Sequence, residues 1–568
     1  MSRSPYLVNK AFKTFAASTI LAVMATTLGS VVNGIIVGNM MGHEELSAVN
    51  LVFPLIQLYN AVTALVCAGG AVLCAVLVGK GETGRTGGIF LSAMALLGLL
   101  SVAFAVIGLL WTDDIARAFC SSDVLLPLVK DYLRVALIGG AAYIFLPGMA
   151  MFVRVDGSPG TATVALLTAN ISAALLCILF VSLGMGITGA SLAMVIGFAL
   201  GAVVVASHFV RKRDTTLFRP QMGGARFVPQ MLLIGAPVAL ASMMMVAKVF
   251  CMNSLTLDYL GESGMATMSV AMNVMMLATM VIGGTCQTVQ PVGGTLYGSG
   301  DVDGISYLTR TIAKVLLAAL GTLVLAVIIA PGAFCALFGV TDPSLVDASV
   351  TALRLFAPSA LLYGVNYAII VLFQVLGNRK LAIVVSVLQP LMVMIIAVST
   401  AGINTNMIWA SFCLGELAML AITTVISLYM RHRNPALHGF LLGRMPSVPT
   451  TVMSVKGDAS DIQDVLDSIA SFLESNGISK DRSDRAVLCC EELALNSCEH
   501  ALNKNTRRSV DIVVRAGDEA SITVRDDGAL FNPMTFDNDG KGLMIVKGMC
   551  NSITYSRALG QNNVRFTF

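Results

Sequence analysis

Apolar runs of about 20 residues, long enough to cross a bilayer, recur about twelve times along this 568-residue chain. In lipid a backbone must satisfy its own polar groups, which leaves helices and closed barrels, and runs of this length fit helices. The first set is expected near Phe15–Met41, Leu46–Val78, Gly87–Trp111, Val129–Val153, Thr161–Leu183 and Ile187–Val210. The second is expected near Met231–Leu257, Met265–Tyr297, Ile312–Phe338, Leu345–Leu376, Leu381–Ala401 and Met407–Tyr429. Fifty-six per cent of the residues are hydrophobic and 12% charged, against about 25% charged in a soluble domain. Most of the chain is therefore an all-α polytopic membrane domain solvated by the lipid bilayer.

Charge sets the orientation. Alternate loops carry Lys80/Arg85, Arg154, Arg211-Lys212-Arg213 with Arg219 and Arg226, Arg310/Lys314, Arg379-Lys380 and Arg431/Arg433. The loops between them carry Glu44/Glu45, Asp113/Asp114, Asp258/Glu262 and Asp342/Asp347. Positive residues stay on the cytoplasmic side, so both termini are expected in the cytoplasm. Arg3, Lys10 and Lys13 precede an apolar run too long for a cleavable signal core, so that run reads as a first span. From Thr451 onward, 13 basic and 17 acidic residues give −4, leaving +7 for the rest. That balance gives no sign of nucleic-acid binding. The 12 cysteines hold no CxxC pair and are expected to be reduced, most of them acting as small hydrophobes.

The two halves repeat. Gly79-Lys80-Gly81-Glu82 matches Gly298-Ser299-Gly300-Asp301 at an offset of 219, and Leu133-Arg134, Tyr143 and Gly157 match Leu353-Arg354, Tyr363 and Gly377 at 220. Asn33 matches Asn253 at 220 as well. Six spans per half start both repeats, about 10–215 and 228–430, on the same side. Their symmetry axis should run along the membrane normal, with a transport site between the halves. Buried polar residues mark candidates for it, because lipid makes them costly: Asn33, Gln57, Asn60 and Asn170 in the first half, and Lys248, Asn253, Asn273, Gln287, Gln290, Asn366, Gln374 and Glu416 in the second. The amides can equally serve to join helices. Lys248 and Glu416 carry full charges in apolar spans, either as site residues or as a structural pair. A fixed cation at Lys248 would favour an anionic or zwitterionic substrate. The run of methionines from Met243 to Met280 fits an adaptable cavity, or plain core and lipid contact.

Residues 10 to 435 resemble the multidrug and toxic compound extrusion (MATE) family. The resemblance rests on Val32-Asn33-Gly34-Ile35-Ile36-Val37-Gly38, Gly79-Lys80-Gly81-Glu82, Gly298-Ser299-Gly300-Asp301 and Leu376-Gly377-Asn378. It implies a V-shaped, two-lobed exporter of small molecules, driven by H+ or Na+ influx. Family members often have an acidic residue where Asn33 stands, tied to cation coupling, and an amide holds no proton to release.

The stretch 436–450 reads as a linker, and 451–568 as one soluble domain. Ile462, Val465, Leu466, Ile469, Phe472 and Leu473 recur at helical spacing, and Ser483 to Asn503 forms a second amphipathic helix. Val510–Arg515 and Ser521–Arg525 alternate as strands, and a last hairpin joins Ile553–Arg557 to Val564–Phe568 across Gly560-Gln561-Asn562-Asn563. The domain is expected to be an α/β sandwich. Glu492, Asn496 and His500 lie four apart on one helix face, a set suited to magnesium-phosphate chemistry. Asp526 enters Gly528 directly from a strand, placing a carboxylate where it can accept from an adenine amino group. Gly540, Lys541, Gly542 and Leu543 start a helix whose N–H groups suit phosphate.

Those three pieces resemble the GHKL ATP-binding superfamily, and most of all the serine kinases that act as anti-sigma factors. Phe531-Asn532-Pro533 completes the likeness. It implies ATP and Mg2+ as cofactors, Asn496 on Mg2+, Asp526 on adenine, and Glu492 as the base toward a serine on a cytosolic phosphoacceptor protein. No GxxxxGK[ST] is present, which excludes a P-loop motor. The expectation is ion-gradient-driven antiport of small molecules across a bacterial inner (plasma) membrane, regulated by the ATP-binding tail. The rival readings are a membrane-anchored signalling kinase whose transporter-like part is a sensor, and a flippase for lipid-linked precursors, in which Lys248 would meet a phosphate.

Overall fold

The computed structural model describes residues 3–120, 122–210, 223–338, 340, 342–434, 437–441, 443–444, 448–455, 459–501, 509–529, 532 and 541–568. The first lobe holds α1 (Tyr6–Met40), α2 (His43–Lys80), α3 (Thr83–Leu110), α4 (Leu126–Ile138 and Gly140–Val155, bent by 50°), α5 (Pro159–Ser182) and α6 (Gly186–Val210). The second begins with a continuous helix, Val228–Ser299, of 72 residues. At about 1.5 Å per residue it is far longer than one crossing, and Gly261, at φ 62° and ψ −153°, breaks it into α7 (228–260) and α8 (262–299). α9 (Val302–Ile329), α10 (Pro343–Phe356 and Pro358–Val375), α11 (Arg379–Thr400) and α12 (Met407–Arg433) complete it. Outward-facing Leu99, Leu175, Val203 and Val425 are exposed, as lipid contact requires.

The repeat is built into backbone contacts. A Cβ on Gly79 would collide with the carbonyl of Thr295, and one on Gly298 with the carbonyl of Val76. Both pairs are the same two positions exchanged at an offset of 219, so α2 and α8 cross backbone to backbone about the pseudo-two-fold axis. Gly81 and Gly300 end these helices at φ 79° and 77°, the left-handed cap that glycine adopts at no steric cost. Further contacts between the lobes are Gly284 on Ile20, Gly69 on the carbonyl of Met231, and Gly294 on Ala75. The lobes thus close on each other through glycines at and below their middle, toward the end where α2 meets α3.

That end carries the tail. β1 (Thr450–Val455), α13 (Ala459–Ser475), α14 (Lys480–Ala501), β2 (Val510–Arg515), β3 (Ser521–Asp526), α15 (Lys541–Met549), β4 (Ser552–Ala558) and β5 (Gln561–Thr567) follow in order. The sheet is antiparallel throughout, in the order β1-β2-β3-β5-β4. Strand alternation sends Ile512, Val514, Ile522, Val524, Val564 and Phe566 into a core shared with Val465, Ile469, Cys490 and Leu493 of the two helices. The opposite face is polar: Ser454, Asp511, Arg525 and Asn563 form one row across neighbouring strands.

Four expectations are corrected. Arg154, Arg310, Lys314, Arg431 and Arg433 stand within helices rather than in loops; Arg154 is buried. No loop separates α7 from α8 at Asp258 and Glu262, only the break at Gly261. The tail opens with a strand rather than a helix: β-branched Thr450, Thr451, Val452 and Val455 suit a ladder. Finally, β5 begins at Gln561, so Asn562 and Asn563 are strand residues. The turn is the pair Leu559 (φ 58°) and Gly560 (φ 73°), because two positive φ values match the twist of a tight hairpin.

Candidate functional site

In the membrane part, the sequence candidates separate into a cluster and several ties. Lys248 on α7, Asn366 on α10 and Glu416 on α12 are all buried within the second lobe. Asn366 Nδ2 donates to both the carbonyl and Oε2 of Glu416, each at 2.9 Å, and Gln389 Nε2 donates to the same Oε2 at 2.9 Å. The carboxylate is thus held by two amides, the compensation that lipid demands of a buried charge. Lys248 is close enough to Glu416 to feel its charge, but among the described residues it has no ion pair within 4.0 Å. Its Nζ instead lies over the rings of Tyr363, at 5.2 Å from the centroid, and Phe412, at 5.8 Å. Both are cation–π distances. Met245, Met252, Met268, Met272 and Met275, with Asn253, close a cavity around this ammonium of about 10 Å³, room for roughly one water. Thioether chains are unbranched and repack more readily than branched ones.

The remaining candidates lie elsewhere. Asn33 is buried on α1, with its Oδ1 lacking a hydrogen-bond partner among the described residues. Asn60 Nδ2 donates to Gln57 Oε1 at 2.9 Å on one face of α2. Gln287 Oε1 on α8 accepts from Arg154 Nη1 on α4 at 2.9 Å, a bond between the lobes. Gln290 is buried on α8, and Gln374 Nε2 ties α10 to the carbonyl of Ile234 at 2.8 Å. The structure therefore joins Lys248, Asn253, Asn366 and Glu416, and leaves Gln374 as a helix tie. Reading the sequence missed Gln389 and Phe412, and it placed Arg154 in a loop. Gln389 has the signal of a lone amide in an apolar run, whereas an aromatic beneath a cation has none.

In the tail, Glu492 and Asn496 share a face of α14, and Asn496 Nδ2 donates to Glu492 Oε1 at 3.3 Å. Asp526 ends β3 beside them. Its Oδ1 accepts from Gly528 N–H at 2.9 Å and Asn562 Nδ2 at 2.8 Å, and its Oδ2 accepts from Ser497 Oγ at 3.1 Å. Burial pushes this carboxyl above the usual carboxylate range, and those three donors pull it back. Tyr555 OH, donating to Asn562 Oδ1 at 2.9 Å, fixes the amide in turn. A held carboxylate facing a helix with an acid and an amide can seat a base on one side and a metal-bound phosphate on the other. Among the tail's sequence candidates, Gly540 lies outside the described residues, and for His500, Lys541, Gly542 and Leu543 only the place on a helix is described. Ser497 and Asn562 are additional members of the site; Asn562 was hidden in what read as a turn.

A profile of the MatE family matches residues 18–179 and 237–399, two copies beginning 219 residues apart. A profile described as a histidine kinase-like ATPase domain matches residues 455–568. The chain is 24% identical over 435 residues to the multidrug export protein MepA of Staphylococcus haemolyticus (strain JCSC1435), covering 74% of this chain and 94% of that protein. It is 25% identical over 238 residues to the probable multidrug resistance protein YoeA of Bacillus subtilis (strain 168), covering 40% and 51%. Among solved structures, MATE in complex with MaL6 superposes with a TM-score of 0.70 at 21% identity, over 76% of this chain and 98% of that one. A MOP superfamily transporter from Pyrococcus furiosus Vc1 (DSM3638), described by the reverse polarity of its binding pocket, superposes at 0.69 and 21% over the same shares. At these identities the superpositions establish the fold.

Proposed function

This chain belongs to the MatE family, and from that premise we propose that it exports small molecules by ion-driven antiport under the control of an ATP-binding tail. One observation carries the reading: a carboxylate, Glu416, and an ammonium, Lys248, are both buried within the second lobe, and among the described residues they form no ion pair within 4.0 Å. Charges kept at such cost inside a bundle serve transport more often than structure. Multidrug export is what the name of MepA describes for that relative, and multidrug resistance is what the name of YoeA describes. Asn33 offers no titratable group, so the coupling ion, H+ or Na+, acts at Glu416. Neutralising that carboxylate removes the charge facing Lys248 and frees the ammonium for an anionic or zwitterionic guest.

The tail holds ATP with Mg2+: Asp526 takes the adenine amino group, and Asn496 supplies an oxygen to the metal. Glu492 stands where a base toward a phosphoacceptor hydroxyl would stand. Both termini lie in the cytoplasm on this reading. The tail switches transport and does not drive it, since the sequence has no GxxxxGK[ST] loop of a nucleotide-driven motor.

The test uses the full-length protein sealed in vesicles, with an imposed H+ or Na+ gradient and no ATP. Wild type and Glu492→Ala should export alike, whereas Glu416→Gln should lose gradient-driven export and keep substrate exchange. Gradient-driven flux that survives Glu416→Gln would refute its coupling role. Flux that vanishes with Glu492→Ala would make the tail part of the engine.

A further inference from the structure

The polar face of the tail sheet is docked on the bundle, and its contacts fall on the same turn of both repeats. Arg565 on β5 donates to the carbonyl of Lys80, in the Gly79–Glu82 turn of the first lobe. Arg525 on β3 lies 3.7 Å from Asp301, in the Gly298–Asp301 turn of the second. Arg3, ahead of α1, pairs with Asp301 and lies 3.5 Å from Asp511 on β2. Two guanidiniums and two carboxylates, with at most 7% of any side chain exposed, thus compensate one another where tail, α1 and second lobe meet. Asp301 also caps α9 by accepting from Gly304 N–H. The hairpin tip enters the same seam: Leu559, held at φ 58° although it is not glycine, is buried beside Leu7, Val8 and Ala11 of α1. Gln561 Nε2 donates to the carbonyl of Leu7 at 3.0 Å. Such a backbone persists where its surroundings over-determine it.

These two turns terminate α2 and α8, the helices whose glycine crossings shut the lobes at this end. A sheet bonded to both turns resists parting of the lobes there. The nucleotide site shares this seam through Asp527, the residue between Asp526 and Gly528. Its Oδ2 accepts from Tyr6 OH at 3.1 Å and from Lys10 Nζ, both on α1. A turn fixed in advance spends less on ordering when a ligand arrives, and any ligand that favours the docked turn favours docking by the same factor.

We propose that the tail is a strap across the two lobes, and that nucleotide held at the Asp526 turn tightens it through Asp527, with Lys10 and Tyr6 as positioning residues. The proposal rests on the reading of the tail as an ATP-binding domain and adds how occupancy reaches the lobes. Loaded, the strap keeps the tail-side end shut; empty, it lets the Gly79 and Gly298 crossings separate.

The experiment takes full-length protein in lipid nanodiscs, with the non-hydrolysable analogue AMP-PNP and Mg2+ as probe. It reads nucleotide affinity together with backbone hydrogen exchange over 77–82 and 296–304. In wild type, nucleotide should slow exchange in both turns. Lys10→Met should weaken affinity roughly tenfold, within the usual range of coupling between sites, and abolish that slowing. Tyr6→Phe should do so more mildly, and Lys10→Arg should restore both. Lys10 is 44% exposed at its side chain and Tyr6→Phe removes only a hydroxyl, so these variants leave the core packing in place. Unchanged affinity in Lys10→Met, or nucleotide that leaves both turns unaffected, overturns the proposal. If wild type binds no nucleotide, the reading of the tail falls with it. The strap itself is then judged by Asp301→Asn, which should speed exchange at 77–82 in the other lobe; no change there refutes it.

Discussion

At the scale of single residues, the decisive groups are charges that the bundle or the seam has taken out of water. Glu416 is held by donors on α10 and α11, and Glu416→Ala leaves two amides and Lys248 without it. Removing one partner of a buried charged set costs about 3–5 kcal/mol. Thermal unfolding of the full-length protein should show a loss of that order, while Glu416→Gln, which keeps an acceptor, should cost less. In the tail, Asn562 holds Asp526 and is itself held by Tyr555. Asn562→Ala should weaken ATP binding roughly tenfold, about the worth of one hydrogen bond to a charged group, with Tyr555→Phe showing a smaller effect in the same titration. Equal affinities in all three proteins would leave Asp526 with no need of positioning.

At the scale of elements, the repeat makes its own prediction. Gly79 on α2 and Gly298 on α8 each lie against a carbonyl of the other helix, at exchanged positions. A side chain at either forces the backbones apart, an overpacking penalty of about 1–3 kcal/mol. Gly79→Val and Gly298→Val should therefore destabilise the protein by similar amounts in the same unfolding assay. A large cost at one and none at the other would mean that the crossing is not symmetric. The sheet behaves differently from the helices it joins. Antiparallel sheets commonly leave one face to water; here that face carries Ser454, Asp511, Arg525 and Arg565 and lies on the bundle.

At the scale of the whole molecule, the seam has two parts with different sensitivity to salt. Arg3, Asp301 and Asp511 are almost fully enclosed, whereas Lys10 is half in solvent beside a buried Asp527. Screening reaches exposed charges and spares enclosed ones. Raising ionic strength should lower the nucleotide affinity of wild type toward that of Lys10→Met, while hydrogen exchange around Asp301 stays unchanged. Parallel loss of protection around Asp301 would show that the cluster is as open as the lysine.

The sequence by itself determined whatever is periodic or local. Apolar run lengths set the spans, the offset of 219 set the two lobes, and the Glu492, Asn496 and Asp526-Asp527-Gly528 pieces marked the tail's candidate site. Each depends only on residues near one another in the chain, or on a repeat of such residues. The tertiary structure alone decided the rest. Gln389, Phe412 and Tyr363 join Lys248 and Glu416 from three different helices, and no spacing in the chain records that. Asn562 completes the Asp526 site only because the hairpin turns at Leu559-Gly560, two residues earlier than its glycine and asparagines imply. Arg3 with Asp301 and Asp511, like Lys10 with Asp527, is set by how a sheet face lies on a bundle end. A charge seeks any opposite charge within reach, and only the packing of the whole chain fixes which one that is.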